Sequence, residues 1–483
     1  MANPLLIFHL AGSVVLVTSL AFLLPVPFLA WHGDPTLWCF VKSGAVSLVC
    51  GAILAASGWV RRSQELRSRD GLAVVAVSWF LISLLGALPF WFSGRLDVWS
   101  SIFESFSGFS STGATNINDL STLPKGLLFW RAFTQYVGGM GIIVLMVAVL
   151  PFLGVGGQLL MKNELSALSS EKLKPRVAQI AKILWYVYLA FTLVLFILYL
   201  FGDLSPFDSL CLTFSTLSTG GFSNWNDSLG RFQGSYVPLV SLVFMTIGSV
   251  SFALHYQAFS GRPHAYLRNP ELVFFLSLIA VSTLVVASTL RLSGVYDGIL
   301  TSLYQALFHV TSVVSTSGHS LTDWSKWPRL AVCVLFLLYF FGGCSGSTSG
   351  GLKCMRWLIL FKSVHRAFRR LIHPRGVFPV RVNGRNVPES VLEGVWLFFL
   401  LYFVIFCAAV LLLSAFGLNM LDSLSAAAAS MGNVGSALGN LGPSDTYWFI
   451  PGPAKGVLSL CMLLGRLEFY SVLLIFVPEF WSR

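Results

Sequence analysis

Apolar residues along this chain gather into ten runs: Leu5–Ala30, Gly44–Val60, Leu72–Phe92, Leu127–Leu153, Ile183–Phe201, Val237–Phe259, Leu272–Leu290, Leu330–Phe341, Val395–Phe416 and Gly456–Val477. At about 1.5 Å of rise per residue, most can cross a hydrocarbon core about 30 Å thick, which predicts an all-α polytopic membrane protein with about ten crossings. An even number puts both termini on one side. The run Leu330–Phe341 is short and gives way to a glycine-rich break. The first run is too long, and too poor in small residues at its end, for a removable signal peptide, so it reads as a retained span.

Composition agrees with that solvent. Of 483 residues 55% are hydrophobic and 11% charged, with mean hydropathy +0.77, which excludes an ordinary soluble surface. Four short loops, Arg61–Arg69, Lys162–Lys182, Arg262–Arg268 and Lys353–Arg385, hold 20 of the 31 Lys and Arg. The positive-inside rule makes these loops, and with them both termini, cytoplasmic. The opposite ends carry 11 of the 20 acidic residues, Glu104 among them. The net charge of +11 follows this topology and comes with no separate basic domain or aromatic-basic face, so no nucleic-acid partner is expected. The eight cysteines form no close metal-ligand pair and fall mostly in apolar runs, where cysteine acts as a small hydrophobe.

Between the long runs the chain makes four short apolar segments that each stop on a small-residue turn: Ser110–Asn116, Leu217–Ser223, Val314–Ser320 and Ser430–Ser436. Their glycines Gly113, Gly221, Gly318 and Gly435 are 108, 97 and 117 residues apart, which marks an internal repeat. Each unit reads as a span, a re-entrant segment, a turn and a returning span. The first two spans stand outside the repeat. The re-entrant segments begin near Asp97, Asp208, Asp297 and Asp422, where an Asp or Ser can accept the free N–H groups of a first helical turn.

A short helix that enters from outside and stops midway aims its carbonyl end, worth about half a negative charge, at the membrane centre. Irregular backbone at that depth must line a water path or be buried in protein. Glycine permits the turn, and Ser and Thr add hydroxyl oxygens, so the four ends together predict a site for a hard monovalent cation.

Six segments in this order resemble the Trk/Ktr/HKT superfamily of potassium transporters, and within it the bacterial TrkH type. They are Ser111-Thr-Gly-Ala-Thr115, Gly220-Gly-Phe-Ser223, Ser317-Gly318, Asn433-Val-Gly435, the stretch Gly342–Lys353, and Gly465-Arg-Leu-Glu468. The resemblance covers essentially the whole chain. It implies four membrane–pore–membrane repeats around one pseudo-fourfold pore, with two extra N-terminal transmembrane helices. Residues 1–69 are those two helices, and the pore repeats are 70–160, 161–262, 263–372 and 373–483. It further implies potassium uptake across the bacterial inner membrane, as a channel or an H+- or Na+-coupled symporter. K+ is then the transported ion, with no organic cofactor and no enzymatic activity. The implied potassium filter is Ser111, Thr112 and Gly113; Thr219, Gly220 and Gly221; Thr316, Ser317 and Gly318; and Asn433, Val434 and Gly435. The carbonyls of Thr112, Gly220, Ser317 and Val434 are the first candidates for ion contact.

Two turns depart from the family pattern. His319 follows the third glycine where phenylalanine is common, and the fourth turn lacks the Ser/Thr-rich pattern. Unequal turns predict a moderate preference for potassium over sodium. His319 has two readings, a pore-tuning group that titrates near pH ~6.5 or a neutral side chain packed behind the turn.

Asp119, Asp227 and Asp323 follow their glycines by six, six and five residues. They read as an outer vestibule that attracts cations, or as loop caps. The ten residues Gly342–Gly351 hold five glycines and four Ser/Thr, which breaks the third-repeat inner helix into an intramembrane loop, unless the small residues only serve a close helix crossing. In the resembled family the loop 342–352 obstructs the pore. The implied gate is Gly342, Gly343, Gly346, Ser347, Thr348, Gly350, Gly351 and Lys353, with Arg466 in the last span. An arginine at that depth needs water or a partner; it faces the pore and loop, or it pairs with Glu468. Implied partners are a second copy in a homodimer and TrkA-type cytosolic subunits, which alone would bind nucleotide. Membrane lipid is the other candidate for the basic segment Phe361–Arg370. The alternative function class is a secondary transporter for a small solute or another monovalent cation, built on broken helices.

Overall fold

In the computed structural model, residues 3–58, 68–149 and 173–481 are described. The basic loops Arg61–Arg67 and Lys162–Lys172, the end of the first predicted repeat and the start of the second lie outside them. The described residues are mostly helical, with one antiparallel ribbon among them pairing Arg381–Val382 with Arg385–Asn386. That ribbon closes on Asn383 and Gly384, both left-handed at φ 51° and 74°, as a two-residue Asn-Gly hairpin requires.

Six of the described helices are long and apolar enough to span a membrane: Pro4–His32, Leu37–Ser57, Asp70–Phe92, Gln179–Leu200, Pro270–Leu292 and Glu389–Ala415. Two bent pairs raise the number to eight. The first two are the extra leading helices, and they pack so tightly that a Cβ on Gly12 would lie 2.4 Å from Ala55 N.

Each of the other four long helices opens a repeat. It is followed by a short pore helix, Val98–Phe109, Pro206–Leu217, Ile299–Val314 or Met420–Met431, and then by an inner helix. At 12 or 16 residues the pore helices are about 18–24 Å long and cannot cross. The cap residues differ from those expected. Asp97 caps the first pore helix as predicted, accepting from Trp99 and Ser100 N–H. In the second, Ser205 is the cap and Asp208 sits in the first turn; in the fourth, Asn419 caps and Asp422 sits in the first turn. The third begins at Gly298 with no side-chain cap.

The inner helices are where simple hydropathy fails. Lys125–Val149 in the first repeat is continuous over 25 residues. The second-repeat run breaks into Val237–Ser249 and Phe252–Phe259, bent by 99°. The loop of the third repeat causes this. Thr348 N–H donates to Gly248 O at 3.0 Å and Cys344 N–H to Ser249 O at 2.8 Å, capturing the carbonyls that a continuing helix would use. Phe252 N–H turns instead to Gly346 O at 3.0 Å. In the third repeat Arg329–Leu338 stops, and the helix resumes only at Cys354–Ile372. In the fourth, Gly452–Arg466 and Tyr470–Phe476 meet at 112°, through Glu468 and Phe469 at φ 59° and 49°.

Candidate functional site

The four turns share one backbone geometry despite unequal sequences. Each pore helix ends on a residue in the left-handed region, Ser111, Thr219, Thr316 or Asn433, at φ between 52° and 59°. The next N–H, of Thr112, Gly220, Ser317 or Val434, reaches back five residues to Ser107, Ser215, Ser312 or Ala429 O at 2.8–2.9 Å. This is a Schellman-type ending with a non-glycine residue at the left-handed position, a conformation that costs about 1–2 kcal/mol and persists only where the surroundings impose it. The glycine follows one residue later, again left-handed at φ 73–92°.

These turns close on one another in a ring. A Cβ on Gly113 would lie 2.1 Å from Gly220 O, one on Gly221 1.9 Å from Ser317 O, one on Gly318 2.1 Å from Val434 O, and one on Gly435 2.3 Å from Thr112 O. Each glycine is therefore seated against the carbonyl before the next glycine, and the fourth returns to the first. No side chain fits at any of the four positions. The structure thus brings all twelve expected filter residues together, with the candidate carbonyls Thr112, Gly220, Ser317 and Val434 at the seams.

The side chains of the left-handed residues do something the sequence did not indicate: they face the inner loop or what holds it. Ser111 Oγ accepts from Arg466 Nη2 at 3.3 Å, and Thr219 Oγ1 lies 3.3 Å from Thr348 Oγ1. Thr316 Oγ1 accepts from Gly350 N–H at 2.8 Å, and a Cβ on Gly350 would meet the Asn433 side chain at 2.5 Å. Thr348 Oγ1 donates to Leu217 O, and Ser349 Oγ to Ser315 O at 2.8 Å. The loop is therefore seated beneath the second, third and fourth turns and tied to the first through Arg466, and Ser347 through Lys353 are buried. Its stems are paired by Gly342 N–H to Leu352 O at 2.8 Å and Cys354 N–H to Gly343 O at 3.1 Å.

Arg466 is 2% exposed and donates to Thr348 O at 2.5 Å and to Gly138 O at 2.9 Å. It does not pair with Glu468, whose carboxylate bonds Arg356. Lys353 Nζ turns back onto Ser349 O within the same loop.

On the side facing away from the loop, all four glycines line a cavity of about 150 Å³. The acid among its lining residues is Asp445, ten residues after Gly435, rather than the three expected ones. Asp119 and Asp323 instead cap short 3-10 turns through Ser121 and Ser325 N–H, and Asp323 pairs with Lys326 at 2.9 Å. Hydrogen bonds from Ser121 hold the Asp119 carboxyl below the usual range. Burial pushes Asp323 upward, but bonds from Ser325 and Lys326 outweigh it, so it too is lowered. Asp227 is exposed. Glu104, expected on the outer surface, is buried and holds Arg131 Nε at 2.6 Å; it also accepts from Thr115 Oγ1 and Asn116 N–H. Arg131 continues to Ser223 O at 2.9 Å, which joins the first and second turns from behind. Gln135 does the same one turn deeper, donating to Gly220 O at 2.6 Å and accepting from Phe222 N–H at 3.1 Å. Buried polar residues on an inner helix were the only sequence signal for either. The His319 side chain is buried behind the third turn, its Nε2 3.4 Å from Thr216 Oγ1, which matches the packing reading.

Known proteins share this architecture. The TrkH family, described as cation transport proteins, matches residues 40–483. The chain is 37% identical over 485 residues to the Trk system potassium uptake protein TrkH of Salmonella typhimurium, covering 98% of this chain and 99% of that one. It is 34% identical to the Trk system potassium uptake protein TrkG of Escherichia coli, covering 98% of each. The crystal structure of the potassium transporter TrkH from Vibrio parahaemolyticus superposes with a TM-score of 0.91 at 36% identity, covering 99% of each chain. A shared fold, a match over nearly the whole length and the same multi-pass apolar architecture place this membrane protein in the TrkH family of cation transport proteins.

Proposed function

We propose that this chain takes up potassium across the bacterial inner membrane through the ring of four turns, and that the loop Gly342–Gly351 closes the path from inside. The closed ring of four glycine–carbonyl seams is the observation that carries the reading. Four pore helices end on it, and each contributes about half a negative charge at its carbonyl end. A partly dehydrated cation on the axis exchanges water for the oxygens of Thr112, Gly220, Ser317 and Val434. The relatives named above are potassium uptake proteins, which supports K+ as the transported ion and transport in place of catalysis. The quarters are unequal, because Gln135 already donates to Gly220 O, so the preference over sodium is moderate.

Below the ring the loop acts as the gate. Its arc is hydrogen-bonded to the undersides of the second and third turns, and Arg466 adds a fixed positive charge that opposes a cation and holds Thr348 O. Opening requires these bonds to break together. The relatives' names describe a Trk system, which supports further subunits: TrkA-type nucleotide-binding proteins on the cytoplasmic face and a homodimeric arrangement of this chain. The helix Cys354–Ile372 leads from the gate and carries Arg366, Arg369 and Arg370 beside exposed Phe368 and Leu371, a face suited to such a subunit or to anionic lipid. Both termini are cytoplasmic, and the repeat divisions 70–160, 161–262, 263–372 and 373–483 follow the four pore units.

The test is growth of a potassium-uptake-deficient host at low potassium, with the regulatory partner co-expressed. The wild-type chain restores growth and Gly113→Ser does not. Failure of a well-expressed wild-type chain to restore it removes the proposal.

A further inference from the structure

Away from the turns, one buried carboxylate joins two distant pieces of backbone. Glu271 stands in the first turn of the third-repeat helix Pro270–Leu292, where its own N–H is taken by the cap residue Asn269 at 2.9 Å. Its residue is 2% exposed. A single oxygen, Oε1, accepts from Ser345 N–H at 2.7 Å, Ser345 Oγ–H at 3.0 Å and Met355 N–H at 3.0 Å. Ser345 lies just ahead of the loop's arc, and Met355 lies in the first turn of the helix that follows the loop. The carboxylate therefore meets two helix N-termini, its own and that of Cys354–Ile372, and both stabilise an anion there.

The positions of flexible backbone fit this arrangement. Gly346 at φ 75° follows Ser345 directly, and Gly351 at φ 65° comes shortly before Met355. The residues that touch the turns, Thr348, Ser349 and Gly350, lie between these two glycines. The loop thus has two fastened feet, a left-handed glycine inside each, and a blocking arc between.

We propose that Glu271 is the positioning residue of the gate: it pins both feet of the loop, so that opening is a swing of the arc Gly346–Gly351 between fixed points. It touches neither the ion path nor the four turns. The inference rests on the reading of the loop as a gate. Charge-assisted bonds to one acceptor are stronger than neutral ones, and removing the acceptor strands three donors at once. Without Glu271 the arc loses its fixed reference and leaks.

The experiment uses the full-length chain in liposomes without a partner subunit, with potassium flux and sodium flux measured on protein that elutes as one species. Glu271→Ala raises closed-state potassium flux by about tenfold or more, and Glu271→Gln, which keeps an uncharged acceptor, by about threefold. The half-saturating potassium concentration and the potassium-to-sodium ratio stay at wild-type values, a separation that general loosening of the protein would not give. A chain lacking residues 346–350 is the control. If it leaks and Glu271→Ala conducts as wild type, the pin is refuted while the gate stands. If the shortened chain does not leak, the gating reading falls and takes this inference with it. Where Glu271→Ala does not yield folded protein, Glu271→Gln decides, and wild-type flux in that variant overturns the proposal.

Discussion

At the scale of single residues the four glycines carry the strictest requirement. Gly221→Ala places a methyl 1.9 Å from Ser317 O at φ 81°, so both contact and conformation are violated. Rubidium uptake by this variant falls about tenfold or more, with a lower potassium-to-sodium ratio, because a carbonyl of the ring must move. Asp445 makes a gentler claim. Asp445→Asn lowers uptake at about 0.01 M ionic strength, and the difference shrinks near 0.15 M, where the screening length falls to about 8 Å. Asp119 and Asp323 titrate below the ordinary carboxylate range, so both remain charged as the outside is acidified from pH ~7 to ~5. Any loss of uptake across that interval therefore arises elsewhere, and His319→Phe, which preserves a side chain packed behind the turn, leaves the pH profile unchanged. The glycines were legible because a short apolar segment stopping on a small-residue turn recurs four times in sequence. Glu104, Arg131, Gln135 and Glu271 were not, since each finds its partner far along the chain, and nothing local distinguishes a buried pairing from a surface charge.

Among elements, the pore helices follow from local rules and the inner helices do not. Asp97 caps its helix through two N–H bonds, and Asp97→Ala lowers thermal stability by about 1 kcal/mol, read as a shift of the unfolding midpoint in detergent. The third pore helix has no such side chain to lose, and substitution of the exposed Asp297 leaves the midpoint in place. Hydropathy placed the long helices correctly because their outward faces meet lipid and stay apolar throughout. It read Val237–Phe259 as one span because its apolar character is unbroken, although its backbone is cut at Ser249. The cut is made by the N–H groups of Cys344 and Thr348, about a hundred residues away, and no local pattern reports it. The third-repeat break was visible because five glycines advertise it in place.

For the whole molecule, the four turns and the loop beneath them form one hydrogen-bonded body, with Arg466 as the link to the first turn. Arg466 links Thr348 in the loop, Ser111 in the first turn and Gly138 on the first inner helix. Arg466→Ala raises basal flux about tenfold in liposomes without a partner, and the same variant becomes less dependent on any added regulatory subunit. The sequence pattern conveyed the four units and their order, while their mutual placement, above all the loop held by the second, third and fourth units and tied to the first through Arg466, needed three dimensions. The ring also has a sense of rotation. Gly113 leans on the carbonyl before Gly221, Gly221 on the one before Gly318, and so onward until Gly435 leans on Thr112. Because one polypeptide encodes the quarters separately, a lesion can be written into one of them alone, which four identical subunits do not allow. Its disturbance then has a downstream and an upstream neighbour, so the same substitution made at each glycine in turn becomes a compass for the direction in which strain travels around the pore.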